Sequence, residues 1–225
     1  MADGGGDGEL AGFLKTAFAC SAEVADSIGR HAAARRHAAD ELVVRQGDPL
    51  HEAFLMWLGR ARAQAFTRDG QIVVLHEFLP GDLFGALDER PGEASGSEVV
   101  ALEPSRMAVF QAIEFLALAE RYGCVGLALS RSLLRQLRAA TDRMVARTTL
   151  SAFGRIYAEL LRLADLGDGR TIRPPPVLAA LASRVQTTRE TASRAVSALE
   201  RRGVLRRDEA GLVIVARHRL EELVV

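Results

Sequence analysis

Between Thr188 and Glu200 the chain runs Thr-Arg-Glu-Thr-Ala-Ser-Arg-Ala-Val-Ser-Ala-Leu-Glu. Arg189 and Arg194 offer planar forks of N–H donors that match the O6 and N7 acceptors of guanine. Glu190 accepts from the amino group of cytosine, and Ser193 serves several base edges. On a helix, Ala192, Val196 and Leu199 recur at steps of four and three and form one face. The four polar residues gather near the opposite face, towards the helix start, and Thr188 is placed to cap it. This is the chemistry of base reading in the major groove of double-stranded DNA. The plainer alternative is a solvated helix face with an i,i+4 pair such as Glu190 and Arg194.

The neighbouring elements favour base reading. Val177 to Val185 is a second short apolar-periodic helix, with Leu178, Leu181 and Ala182 on one side, and Val185-Gln186-Thr187 is a tight connection. Two helices about such a turn make a helix-turn-helix. After Gly203, Val204-Leu205-Arg206-Arg207 and Leu212-Val213-Ile214-Val215 flank Asp208-Glu209-Ala210-Gly211, two strands and a turn that read as a wing. Arg206 and Arg207 are expected to meet phosphates there. A short helix from His218 to Val225 closes the chain. Net charge is zero, so any nucleic-acid site must be a local patch. From Leu178 to Arg207 the positives are Arg184, Arg189, Arg194, Arg201, Arg202, Arg206 and Arg207, against Glu190 and Glu200 alone. Such a local excess suits phosphates.

The rest of the 225-residue chain must hold this head. Residues 1–9, Gly- and Asp-rich, read as a disordered tail without the basic and apolar regions of a signal peptide. Leu10 to about Arg36 reads as one or two short helices. From Glu41 to Phe110 short apolar runs alternate with Gly47, Gly59, Gly70 and Gly81, and Thr67-Arg68-Asp69-Gly70 is a hairpin turn. Strands at that spacing predict an antiparallel β-roll or jelly roll. Pro80-Gly81-Asp82-Leu83-Phe84-Gly85-Ala86-Leu87 reads as a glycine turn opening a short helix, whose amides suit an anion. A helix follows from Gln111 to Arg121. A long helix is expected from about Cys124 to Thr148, where Leu127, Leu134, Thr141 and Thr148 are seven apart and Leu137 and Met144 fall at d positions. That stripe points to a parallel dimer coil, weakened by its threonines. A helix packed on its own domain stays open on spacing alone. Leu150 to Asp165 is a further amphipathic helix, and Arg173-Pro174-Pro175-Pro176 is a stiff connector. The expectation is an α+β chain with a sensor domain over 10–122, a dimerisation helix over 123–149 and a winged helix-turn-helix over 150–225.

No run of apolar residues is long enough for a membrane span, and a cytoplasmic protein is expected. Cys20 and Cys124 lie far apart in sequence and make no CxxC, so neither a disulfide framework nor a metal cluster is implied. Lys15 is the sole lysine; the other basic residues are arginines. The chain has no HExxH, GxSxG or Walker loop, so it is not expected to be an enzyme.

The order of elements resembles the cyclic-AMP-receptor and fumarate–nitrate-regulator (Crp–Fnr) family of bacterial transcription regulators over about residues 12 to 220. The carrying pieces are the Gly47/Gly59/Gly70/Gly81 ladder, Pro80-Gly81-Asp82-Leu83-Phe84-Gly85, Phe153-Gly154-Arg155 and Thr188-Arg189-Glu190-Thr191-Ala192-Ser193-Arg194. The resemblance implies a cyclic-nucleotide-binding-like β-roll (a double-stranded β-helix) and a homodimer on a palindromic site with TGTGA- or TTGAT-like arms. It also implies RNA polymerase as a further partner. Arg189, Glu190 and Arg194 match base-contacting positions, Ser193 an extra base contact, and Thr188 and Thr191 phosphate-facing positions. Gln186 departs from the family's usual glycine in the turn.

The sensor half departs further. The family's pocket has a Glu after Phe-Gly for the ribose; here Gly85 is followed by Ala86 and Leu87. Its Arg-Ser or Arg-Thr pair for the phosphate falls at about Ser95-Gly96, with Ser97 next and Arg90 the one arginine in that loop. A lost charge-assisted hydrogen bond is worth about 1.5–3 kcal/mol. The positions that meet adenine are Ala140 and Thr141. Cyclic AMP is therefore not the expected effector, and another small molecule, or none, fits better. An oxygen-sensing iron–sulfur cluster needs four cysteines, and the chain has two. His51, His76 and Cys124 are lone residues and do not argue for haem. A second class stays open: a ligand-binding or protein-interaction module with a vestigial DNA head. Salt-dependent DNA binding would separate the two.

Overall fold

A computed structural model describes residues 6–67, 72–88, 92–209 and 211–224. Arg68, Asp69, Gly70, Arg90 and Ala210, which carry expectations above, lie outside that set. The chain divides into two compact units, one of Met1–Gln71 and Leu75–Ala140, the other of Ile72–Val74 and Thr141–Val225.

The first unit opens with helices α1 (Gly6–Phe18) and α2 (Ala22–Gly29). The tail expected over 1–9 is thus helical from Gly6, because Leu10, Leu14 and Phe18 recur every four residues and are all buried. The helical reading up to Arg36 also ends early. Ala32–His37 is strand β1, paired along its whole length with β8 (Ser105–Gln111); ladder pairing overrides the helix preference of its alanines. The remaining strands are β2 (Leu42–Val44), β3 (Glu52–Leu58), β4 (Ala61–Phe66), β5 (Ile72–Phe78), β6 (Leu83–Gly85) and β7 (Glu98–Ala101). They form two four-stranded antiparallel sheets in the orders β1-β8-β3-β6 and β2-β7-β4-β5. Pro80 to Leu87 carries no helix. Leu83, Phe84 and Gly85 pair with Leu55, Phe54 and Ala53, since both large side chains find buried places on opposite faces of the strand.

Strand β3 shows why its apolar run is unbroken. Phe54 and Met56 join Val44, Ala63, Phe78, Phe84 and Val99 in a core formed by residues of both sheets. Ala53 and Leu55 join Leu14, Phe18, Phe115 and Val125 in a second core beneath the helices. A strand covered on both faces has no polar side to alternate with. Phe84 stacks on Phe54 at 5.0 Å and on Phe78 at 4.4 Å between ring centroids.

Helices α3 (Ala112–Arg121) and α4 (Gly123–Thr149) follow. Three residues of α4 hold the turn before β6. The fully buried Ser132 accepts from the Leu83 amide at 3.0 Å, Gln136 donates to the Leu83 carbonyl at 2.7 Å, and Arg135 pairs with Asp82 at 2.6 Å. Asp82 also accepts from the Leu79 amide at 3.0 Å. It is therefore both a turn residue and the anchor of the long helix. Cys20, between α1 and α2, and Cys124, in the first turn of α4, pack on one core and are neighbours. Sequence separation hides that proximity.

The second unit contains α5 (Ala152–Asp165), β9 (Thr171–Ile172), α6 (Leu178–Arg184), α7 (Arg189–Arg201), β10 (Leu205–Asp208), β11 (Gly211–Ile214) and α8 (Arg217–Glu222). The wing is three-stranded, in the order β10-β11-β9, with β9 not foreseen from the sequence. Its core gathers Ile156, Leu160, Leu181, Val196, Leu199, Leu212 and Leu220. No described helix is long and apolar enough to cross a membrane.

Candidate nucleic-acid interface

Helix α7 is oriented by its apolar face. Ala192, Ala195, Val196 and Leu199 are all buried, and a hydrophobic stripe at helical spacing can point only one way. Arg189, Glu190 and Arg194 are left exposed, with Ser193 partly so. Thr188 caps the helix, its hydroxyl accepting from the Thr191 amide at 3.2 Å. The Thr188 and Thr191 hydroxyl oxygens are 3.1 Å apart, and Arg194 donates to Thr191 at 3.3 Å. Arg189 makes no hydrogen bond or ion pair among the described residues, so its fork of donors is uncommitted. The Glu190 carboxyl is held below the ordinary carboxylate range, first by its own backbone N–H and then by the Thr188 hydroxyl. It is ionised, an acceptor only, at neutral pH.

Of the seven arginines counted over 178–207, Arg184 leaves the patch. It pairs with Glu159 at 3.2 Å and is largely covered. Arg207 pairs with Glu200 at 3.3 Å and Arg206 approaches Asp208 at 3.8 Å, both guanidiniums staying well exposed. Exposed pairs of this kind are worth about 0–1 kcal/mol and do not withhold an arginine from a phosphate.

The turn before α7 is built from below. Arg155 of α5 donates to the Val185 carbonyl at 3.0 Å, the Leu150 carbonyl at 3.0 Å and the Gln186 carbonyl at 3.5 Å. Gly154 beside it has no room for a side chain, since a Cβ would stand 2.7 Å from the Val224 carbonyl. The Phe153-Gly154-Arg155 motif thus works as a support for the turn. Gln186 takes φ +52°, the left-handed conformation that favours glycine, and its side-chain oxygen is buried without a partner. Gln186→Gly is expected to stabilise the protein by about 1 kcal/mol, the order of the left-handed cost to an L-residue. Urea denaturation checks this; a lower midpoint would mean the glutamine side chain contributes more than its backbone costs.

In the first unit a cavity of about 520 Å³ opens beside β6. Gly85, Ala86, Leu87, Ser95, Gly96 and Ser97 line it, as the sequence places them. Arg90 is outside the described residues. Ala140 and Thr141 do not line it; α4 contributes Leu133 and Gln136 instead, one or two turns earlier, because Ser132, Arg135 and Gln136 hold that stretch of the helix to β6. Residue spacing could not supply this register. Asp88 and Glu93 bring two carboxylates to the wall, and no arginine or lysine lines it among the described residues. The Ser95 hydroxyl donates to the Ser97 carbonyl.

Along α4 only Val125 and Ser132 are buried. Leu127 is 50% exposed, Leu134 53%, Leu137 63% and Met144 64%, and Thr141 and Thr148 are exposed as well. The heptad stripe is therefore not packed on its own chain.

Residues 34–122 match the model of the cyclic nucleotide-binding domain, and residues 154–223 that of the Crp-like helix-turn-helix domain. A cyclic AMP receptor protein of Thermus thermophilus is 35% identical over 165 residues, covering 72% of this chain and 74% of that protein. Among solved structures, the fold is shared with FixK2 from Bradyrhizobium japonicum, at TM-score 0.71 and 23% identity over 85% of this chain and 96% of that one. It is shared also with CLP, the c-di-GMP responsive global regulator of Xanthomonas campestris, at TM-score 0.75 and 19% identity over 87% and 100%. The chain belongs to the Crp–Fnr family of bacterial transcription regulators, DNA-binding proteins rather than enzymes.

Proposed function

We propose that this regulator acts as a homodimer on a two-fold symmetric DNA site, each copy placing α7 in the major groove of one half-site. The observation that carries the reading is the exposed trio Arg189, Glu190 and Arg194 at the capped start of a helix whose other face is fully buried. In this reading Arg189 and Arg194 donate to guanine edges, Glu190 accepts from cytosine and Ser193 adds a contact. Thr188, Thr191, Arg206 and Arg207 meet phosphates on either side. RNA polymerase is the further partner that a DNA-bound regulator addresses.

The dimer is supported by the uncovered stripe on α4. Leu127, Leu134, Leu137 and Met144 leave a contiguous apolar row in water, and a second copy of the same helix would bury it at a and d positions. Leu134→Glu with Leu137→Glu should yield a monomer in sedimentation. A variant that remains dimeric would place the interface elsewhere.

The cavity is read as closed to cyclic AMP. No arginine or lysine lines it for the phosphate among the described residues, and Ala86 stands where the ribose would need a carboxylate. Calorimetry with cyclic AMP is expected to show no binding at micromolar concentration; a saturable isotherm in that range would overturn the reading. Arg189→Ala should weaken specific binding by about 1–3 kcal/mol and relax preference at one base pair. Titration against a palindromic and a random duplex, at several salt concentrations, measures this. An equal loss on both duplexes would show that Arg189 meets phosphate, not base.

A further inference from the structure

The two cysteines have no part in DNA reading or in the cavity beside β6, yet the fold brings them together. Cys20 sits in the connection between α1 and α2, where Ala19 takes φ +50° and the Cys20 amide donates to the Lys15 carbonyl at 3.2 Å. Cys124 sits in the first turn of α4. Nearby, the residue before α4 is tied to α2, since the Tyr122 hydroxyl donates to Ser27 at 3.0 Å. Both cysteines pack, partly buried, against the core that holds Phe18 and Val125. Cys124 and Ala19 also line a surface cavity of about 560 Å³, a route for a small oxidant.

We propose that Cys20 and Cys124 form a reversible dithiol–disulfide site, oxidised by a hydroperoxide and restored by a thiol reductant. The Cys124 thiolate attacks the peroxide; an S–O bond forms, the O–O bond breaks and an alcohol or water leaves. The Cys20 sulfur then displaces the oxygen from the Cys124 sulfenic acid, and its proton leaves with that oxygen as water. Two thiols have lost two electrons and two protons, and the peroxide has been reduced. The order follows from environment. Cys124 lines the surface cavity and meets the oxidant first, whereas Cys20 is not among the residues that line it and serves as the resolving partner. The bond would join the α1–α2 connection to the start of α4, the helix held to β6 by Ser132, Arg135 and Gln136. Residues 19–21 lie outside any helix or strand and can adjust to the geometry a disulfide requires.

The test uses the reduced full-length protein, treated while folded with a stoichiometric amount of hydrogen peroxide and alkylated before unfolding. Two titratable thiols per chain should fall to none, and unreduced peptide mapping should find the Cys20 peptide linked to the Cys124 peptide. Dithiothreitol should restore both thiols. In Cys20→Ser, Cys124 should instead be trapped by dimedone as a sulfenic acid. Sulfinic acid accumulating on the wild-type chain, a Cys124 bridge between two chains, or two intact thiols under peroxide that oxidises free cysteine in a parallel tube would each overturn the proposal.

Discussion

The burial of Ala192, Ala195, Val196 and Leu199 on one side of α7 is the constraint on which the DNA head depends. Removing apolar surface from water is worth roughly 25 cal/mol per Å², and here it fixes the rotation of the helix about its own axis. Two of the four buried residues are alanines beyond the sequence's obvious Val and Leu, and small side chains let α7 lie close to α5 and α6. Once that rotation is set, the arginines have no choice of direction. The cap at Thr188, the Arg155 contacts under the turn and the left-handed Gln186 serve the same end from the other side, fixing where the helix begins.

The sensor unit rests on a parallel arrangement. Strands covered on both faces make two cores, one between the sheets and one beneath the helices, and β6 belongs to both through Phe84 and Leu83. Helix α4 is attached to that strand by hydrogen bonds to the Leu83 amide and carbonyl and by the Asp82–Arg135 pair. Gln136 holds the Leu83 carbonyl and also lines the adjacent cavity. The cavity wall and the helix that carries the apolar stripe are thus one piece of structure. Family membership and pocket chemistry are separate matters: the fold is retained, and among the described residues the cavity beside β6 is lined without an arginine or lysine.

Much of the fold was legible because its signals are local. The strands of the roll, the long helix, the helix-turn-helix and the Thr188 cap all follow from hydrophobic period and from turn chemistry within a few residues. The misses have local signals that a distant partner overrules. Ala32–His37 has the alanines of a helix and becomes an edge strand because β8 offers it a ladder. Leu83–Gly85 follows a helix-like glycine turn and becomes a strand because β3 lies beside it. Arg184 looks like one more member of a basic patch until Glu159, on another helix, takes it inward.

By itself the sequence determined the family, the long helix and helix-turn-helix, and which polar residues gather at the start of α7, since each of these depends on side-chain type and on spacing along a few turns of chain. Only the tertiary structure decided which turns of α4 face the cavity, that the heptad stripe is left uncovered, and that Cys20 and Cys124 are neighbours. Those facts are set by contacts between segments distant in the chain, where the register of one element on another follows from the packing of whole surfaces and leaves no periodic mark in the residues.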